Sequence, residues 1–122
     1  MEIIRSGATV ELTNSGVSSR QLLCPENSRS QRITITRVTV APGARNPPHR
    51  HESSEQVWVV LRGAGQLLLE DGRREPLAVG DIARFEDKDL HGVENTGDSV
   101  FEYMSVTSPP VNFRDSYAKA WK

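Results

Sequence analysis

The chain of 122 residues holds three histidines, and two of them, His49 and His51, stand two apart in the stretch PPHRHESSEQVWVVLRG. On an extended strand, side chains at i and i+2 project to the same side. The two imidazoles therefore face one point. Such a pair suits a shared cation, whereas without one the two rings repel as soon as both are protonated. The third histidine, His91, lies far along the chain in DLHGVEN. Single histidines on exposed loops are common and inert, but here every histidine falls in one of two short motif-like segments. That distribution points to a metal site.

Strand signals dominate the elements that must position these residues. RITITRVTVA (32–41) alternates β-branched residues with others and stops at Pro42-Gly43, and QVWVVLR (56–62) is dense in β-branched and aromatic residues and stops at Gly63. GQLLLEDGRREPLAV carries Asp71-Gly72, a dipeptide that favours a type I′ hairpin turn. DIARF (81–85) follows Gly80, and VFEYMSVT (100–107) follows the turn-forming NTGD. Short strands punctuated by Gly, Pro, Asn and Asp predict an all-β sandwich or barrel. No repeat or linker divides the chain, so residues 1–122 are expected to form one barrel domain. The tail VNFRDSYAKAWK is the one segment compatible with a helix, with Tyr117 and Trp121 four apart on one face to cover the barrel or a partner subunit.

Composition bounds the partners. The net charge is −1 and no long basic run occurs, which argues against nucleic acid or acidic lipid as principal partner. A lone Cys24 permits no internal disulfide and suits a reducing compartment. The opening MEIIRSGATVEL does not read as a secretory signal. No apolar stretch approaches the roughly 20 residues needed to span a bilayer. The expectation is a cytoplasmic protein acting on a small molecule, with no nucleic acid and no membrane partner.

The two histidine segments resemble the two motifs of small single-domain cupins. The first family motif is commonly written G-x5-H-x-H-x3,4-E-x6-G, and Gly43, His49, His51 and Gly63 match it. The second, G-x5-P-x-G-x2-H-x3-N, is matched by Gly80, His91 and Asn95 with every interval kept. Together they span nearly half the chain. Glu86 stands in place of the motif's proline and Lys88 in place of its glycine, which puts the rim loop EDKD in doubt rather than the ligands. The resemblance implies a jelly-roll barrel, the double-stranded β-helix, a metal site inside it, and a homodimer.

The fourth ligand that the resemblance implies is ambiguous. Counted forward from His51, Glu55 satisfies the shorter interval; counted back from Gly63, six residues lead to Gln56, which satisfies the longer one. Neighbours on a strand face opposite ways, so one of them looks inward. Expecting QVWVVLR to hold its register up to Gly63, we assign His49, His51, Gln56 and His91 as ligands, with Glu55 as the alternative to Gln56. Imidazole with oxygen suits a divalent iron, manganese, nickel or zinc ion. The open coordination positions usual in cupins favour the first three over a closed zinc tetrahedron.

Trp58 and Val60 share the parity of Gln56 and are expected to line the pocket. Arg37 and Arg84 interrupt apolar alternation, and an inward arginine would need an anion; each is either a pocket residue for a substrate carboxylate or a residue on the outer face. Tyr103 cannot be given a side. The leading functional expectation is a metal-dependent enzyme that oxygenates, isomerises, decarboxylates or eliminates from a small polar or anionic molecule. The alternatives are a non-catalytic small-ligand binder and a structural metal site.

Overall fold

Along Thr34–Val40 the side chains of Thr34, Thr36, Val38 and Val40 are buried, and those between them turn away. β-Branched residues are stiff at χ1 and pack well on a half-buried pleated surface. The same alternation recurs through the computed structural model, which describes residues 1–121. In chain order the strands are β1 (Val10–Asn14), β2 (Val17–Leu23), β3 (Thr34–Val40), β4 (Arg45–His49) and β5 (Glu55–Arg62). They continue with β6 (Gly65–Leu68), β7 (Arg74–Leu77), β8 (Ile82–Phe85), β9 (His91–Glu94) and β10 (Phe101–Ser108), and a short helix, α1 (Arg114–Ala118), closes the series. A six-stranded sheet runs β1-β2-β3-β10-β5-β8 and a four-stranded sheet runs β4-β9-β6-β7. Their inner faces meet as a jelly-roll barrel, the expected fold.

The interior is divided along its length. Inward residues of β3 run Thr34, Thr36, Val38, Val40, and those of β10 run Thr107, Ser105, Tyr103, Phe101. The pairing sets like beside like: Thr107 opposite Thr34, Ser105 opposite Thr36, Phe101 opposite Val40. On β2, Gln21 stands opposite Thr36 and Val17 opposite Val40. Hydroxyls and amides thus gather at one end of the barrel. The apolar residues at the other join Leu67, Leu77 and Val93 of the smaller sheet in one core. Burial of each such aliphatic side chain stabilises by about 1.5–3 kcal/mol.

Local chemistry explains the connections. Asp71 and Gly72 both take positive φ, 59° and 72°, and Arg73 N–H donates to Glu70 O, as a type I′ hairpin requires. β4 contains Pro47 and Pro48, yet it is an edge strand, where missing N–H donors are tolerated. Strand β5 departs from expectation near its end. Tyr103 pairs with Val60 but Glu102 with Arg62, so Leu61 is an extra residue in a bulge, and Leu61 and Arg62 are both exposed. The register therefore breaks before Gly63. Helix α1 also stops short of Trp121, but the Tyr117 and Trp121 rings still meet, 4.8 Å apart, against the core. Among the described residues no helix is long and apolar enough to cross a membrane.

Gly63 lies at φ +73°, and a Cβ there would stand 2.3 Å from the carbonyl oxygen of Val100. Neither the conformation nor the backbone contact leaves room for a side chain. Gly63→Ala is expected to lower unfolding free energy by about 2 kcal/mol or more, read from the urea midpoint; an unchanged midpoint would refute this account of the β5–β6 turn.

Candidate metal centre

Strands β4 and β9 set His49 directly opposite His91. Gly92 makes that approach possible. A Cβ on it would lie 2.6 Å from Asn46 O and 2.7 Å from Pro48 N, so any side chain would lever β4 off β9. His51 follows just beyond β4, and its carbonyl accepts a 2.7 Å hydrogen bond from Lys88 N–H. Lys88 occupies the left-handed region at φ 72°; a lysine has taken up the turn that relatives of this motif give to glycine. The three ring centroids are 5.0, 4.6 and 5.4 Å apart. One nitrogen from each histidine lies within 4.8 Å of the other two.

The hydrogen bonds fix which nitrogens are free. His49 Nδ1 is 2.8 Å from Pro47 O and His91 Nδ1 is 2.9 Å from Asp89 O. A carbonyl oxygen only accepts, so each Nδ1 carries the proton and each Nε2 presents a lone pair, the usual preparation of a metal-binding imidazole. His51 Nε2 is buried and finds no partner within the protein. Burial disfavours the charged form of all three rings. Burial pushes His49 below its ordinary value, burial and the neighbouring His49 push His51 down to about 4, and burial and then His49 push His91 down to about 3. Phe85 stacks on His91 with centroids 4.0 Å apart and planes 9° from parallel, which locks that ring.

Gln56 faces the histidines and is 3 % exposed. The Trp58 indole N–H, a donor only, reaches Gln56 Oε1 at 2.8 Å, and Gln56 Nε2 donates to Thr107 Oγ1 at 2.9 Å. The amide orientation is thereby pinned, with its oxygen 3.0 Å from His91 Nε2. Two acceptors face each other. An imidazolium would relieve the conflict, but burial opposes it. A cation accepting both lone pairs relieves it as well, since adjacent ligands with bonds of roughly 2.1 Å to an ion stand about 3 Å apart. Together with the unpartnered His51 Nε2, this donor set fits a metal, and His49, His51 and His91 could hold one.

The remaining sequence-assigned residues divide. Trp58 lines a cavity of about 320 Å³ with His49, His51, Gln56, Tyr103 and Ser105, and the tail residues Phe113, Tyr117 and Trp121 also line it. Val60 points inward but lies in the apolar core, away from that cavity. The alternative ligand Glu55 is exposed and ion-paired with Arg84 at 2.7 Å; its odd parity on β5 turns it to the outer face. Arg84 is outside for the same reason, between inward Ala83 and Phe85, and pairs also with Glu86. Arg37 sits between inward Thr36 and Val38 and is exposed. Neither arginine enters the cavity. Ser105, Thr107 and Gly92 carry no signal of their place in the sequence, and Tyr103, which the sequence gives no side, faces the cavity. The pairing of Thr107 with Gln56 fixes the parity of β10, and that pairing is legible only in three dimensions.

Comparison with known proteins follows the same lines. A family model described as "Cupin domain" matches residues 36–107. An uncharacterised protein of Methanocaldococcus jannaschii is 26% identical over 105 residues, covering 86% of this chain and 83% of that one. An oxalate-binding protein of Thermotoga maritima is 27% identical over 90 residues, covering 74% of each. The solved structure of KdgF from Halomonas sp. superposes with a TM-score of 0.74 at 21% identity, covering 94% of this chain and 98% of that one; at that identity it speaks for the fold alone.

Because Gly92 sets the distance between β4 and β9, Gly92→Ala is expected to cost about 1–3 kcal/mol of stability by overpacking and to part His49 from His91. The folded variant should take up less nickel than the unaltered protein in equilibrium dialysis; equal uptake at equal stability would contradict the assignment.

Proposed function

The chain belongs to the cupin family, and on that premise we propose that it holds one divalent transition metal ion through His49, His51, Gln56 and His91 and uses it on a small polar or anionic molecule. The observation that carries the reading is the pair of facing acceptors, Gln56 Oε1 and His91 Nε2, 3.0 Å apart. Iron, manganese, nickel or zinc suits three imidazoles and an amide oxygen. When bound, such an ion supplies Lewis acidity toward a carboxylate or carbonyl, or a site for oxygen. Three neutral imidazoles and a neutral amide leave its charge uncancelled, so the centre prefers an anionic group from the cavity.

The chain's own residues orient this site. Trp58 and Thr107 hold the Gln56 amide, the carbonyls of Pro47 and Asp89 hold two histidine tautomers, and Phe113 packs edge-on against His51 at 5.9 Å. The reaction on this reading is one the metal drives, an oxygenation, isomerisation, decarboxylation or elimination.

A second reading, binding without turnover, is favoured by a specific scarcity. General acid–base catalysis needs a proton carrier of suitable pKa within reach. Glu55 faces outward, and Asp115 is exposed on α1. Burial pushes the Tyr103 phenol well above its ordinary value and that of Tyr117 up to about 12. The similarity to an oxalate-binding protein supports the same reading.

Elemental analysis of protein purified without added metal tests the proposal. One divalent ion per chain is expected, lost in His91→Ala; an equal metal content in that variant would overturn the site. Gln56→Glu is expected to keep the ion but to weaken acetate binding about tenfold, since a carboxylate cancels one of its charges. Acetate titration of the loaded proteins by calorimetry separates metal holding from anion binding, and assay of the loaded protein against small organic acids separates turnover from binding.

A further inference from the structure

The cavity contains a polar group that neither the metal site nor the core uses. Ser105 is 3 % exposed, its Oγ has no hydrogen-bond partner within the protein, and it lines the cavity. A buried hydroxyl left unpaired costs about 1–3 kcal/mol, and native interiors hold few. Thr36 stands opposite Ser105 across the β3–β10 pair and also lines the cavity. Ser19, a third lining residue, is already engaged, accepting from Gln21 Nε2 at 2.9 Å and hydrogen-bonding the Tyr117 phenol. Ser105 is one inward step along β10 from Thr107, which holds Gln56, a displacement of about 7 Å along the strand.

The lining carries little charge besides. Arg50 is exposed, paired with Glu70 at 2.7 Å and donating to Lys88 O, and Asp115 is exposed on α1. Neither is a buried counter-charge. A ligand with a second ionised group would leave it unpaired in a low-dielectric wall, at high cost. The volume, about 320 Å³, is near the small end of ligand sites, roughly 300–1,000 Å³.

Resting on the metal-bound reading above, we infer that the ligand is a hydroxylated monocarboxylic acid of short chain length, its carboxylate at the metal and its hydroxyls on Ser105 and Thr36, with Ser105 the residue that selects for them. A dicarboxylate as short as oxalate reaches only the metal and satisfies none of these hydroxyls. A simple fatty acid reaches them with carbon.

Calorimetric titration of the nickel-loaded protein with D-gluconate, propionate and oxalate tests this. Gluconate is expected to bind at least about tenfold more tightly than propionate. Ser105→Ala should weaken gluconate about tenfold, the loss of one ligand hydrogen bond, with nickel uptake unchanged. Its denaturation midpoint should stay level or rise, because the hydroxyl it removes has no protein partner. Thr36→Val, which conserves volume, should weaken gluconate in the same direction. Gluconate binding no tighter than propionate, or unaltered by Ser105→Ala, overturns the inference while leaving the metal site standing. A fall in the midpoint with equal weakening of both acids assigns Ser105 a structural role and overturns it too. Failure to take up nickel at all would overturn the metal-bound reading and this inference with it.

Discussion

Lone pairs converge at one end of this barrel, and the surrounding structure is arranged to keep them there. Gln56 Oε1 and His91 Nε2 face each other at 3.0 Å, with His51 Nε2 buried and unpartnered nearby. In a bare protein that arrangement is repulsive, and a flexible site would relax it by rotating the amide or the ring. Rotation is blocked on each side. The Trp58 indole and Thr107 hydroxyl hold the amide, while Asp89 O and the Phe85 ring hold the imidazole. Unfavourable polar geometry maintained by well-packed neighbours is the usual mark of a preorganised site.

The division of the barrel interior supplies the stability that such a site requires. Threonine is close in shape to valine and has similar β propensity, so Thr34 and Thr36 build the same strand as Val38 and Val40. Local structure is insensitive to the exchange, but burial is not, because a hydroxyl placed inward gives up transfer free energy and needs a partner. The apolar end, from Val17 through Phe101 and the leucines of the smaller sheet, stabilises the fold, and Val38, Trp58 and Tyr103 belong both to that core and to the cavity lining. The polar and apolar parts of the interior therefore meet at these residues, and the tail residues Phe113, Tyr117 and Trp121 line the cavity at the polar end.

What could be read from the sequence follows from which signals are local. The histidine spacing, the Asp71-Gly72 turn and the strand character of β3, β5, β8 and β10 depend on neighbours along the chain. The inward face of Gln56 depends on register, and the bulge at Leu61 interrupts the register that would carry a count back from Gly63. Pairing with Thr107 and Phe85 is what turns Gln56 in and Glu55 out. Arg37 and Arg84 were ambiguous for the same reason: an arginine in an alternating strand is outward or inward according to a parity that only a cross-strand partner fixes. β2 carries Ser19 and Gln21 at positions that prove inward, and β4 carries two prolines, so neither displays the usual signature. Ser105 illustrates the limit. Its type is ordinary, and its want of a partner is a property of the folded surroundings.

The choice of an amide at position 56 and the scarcity of charge in the cavity belong together. In a site where a carboxylate helps to hold the ion, part of the metal's charge is cancelled before any ligand arrives, and a basic side chain in the wall can compensate. Here the wall has no buried arginine or lysine among the described lining residues, and Gln56 is neutral. On the proposed reading the ion is the sole positive charge in the interior, so an anionic ligand has one place to put its carboxylate and one orientation follows. The remainder of the ligand is then delivered toward β10 and β3, where the hydroxyls are. A neutral fourth ligand thus strengthens the attraction at the metal and removes competition for the ligand's charge elsewhere, which makes orientation a consequence of electrostatics and leaves recognition to hydrogen bonds.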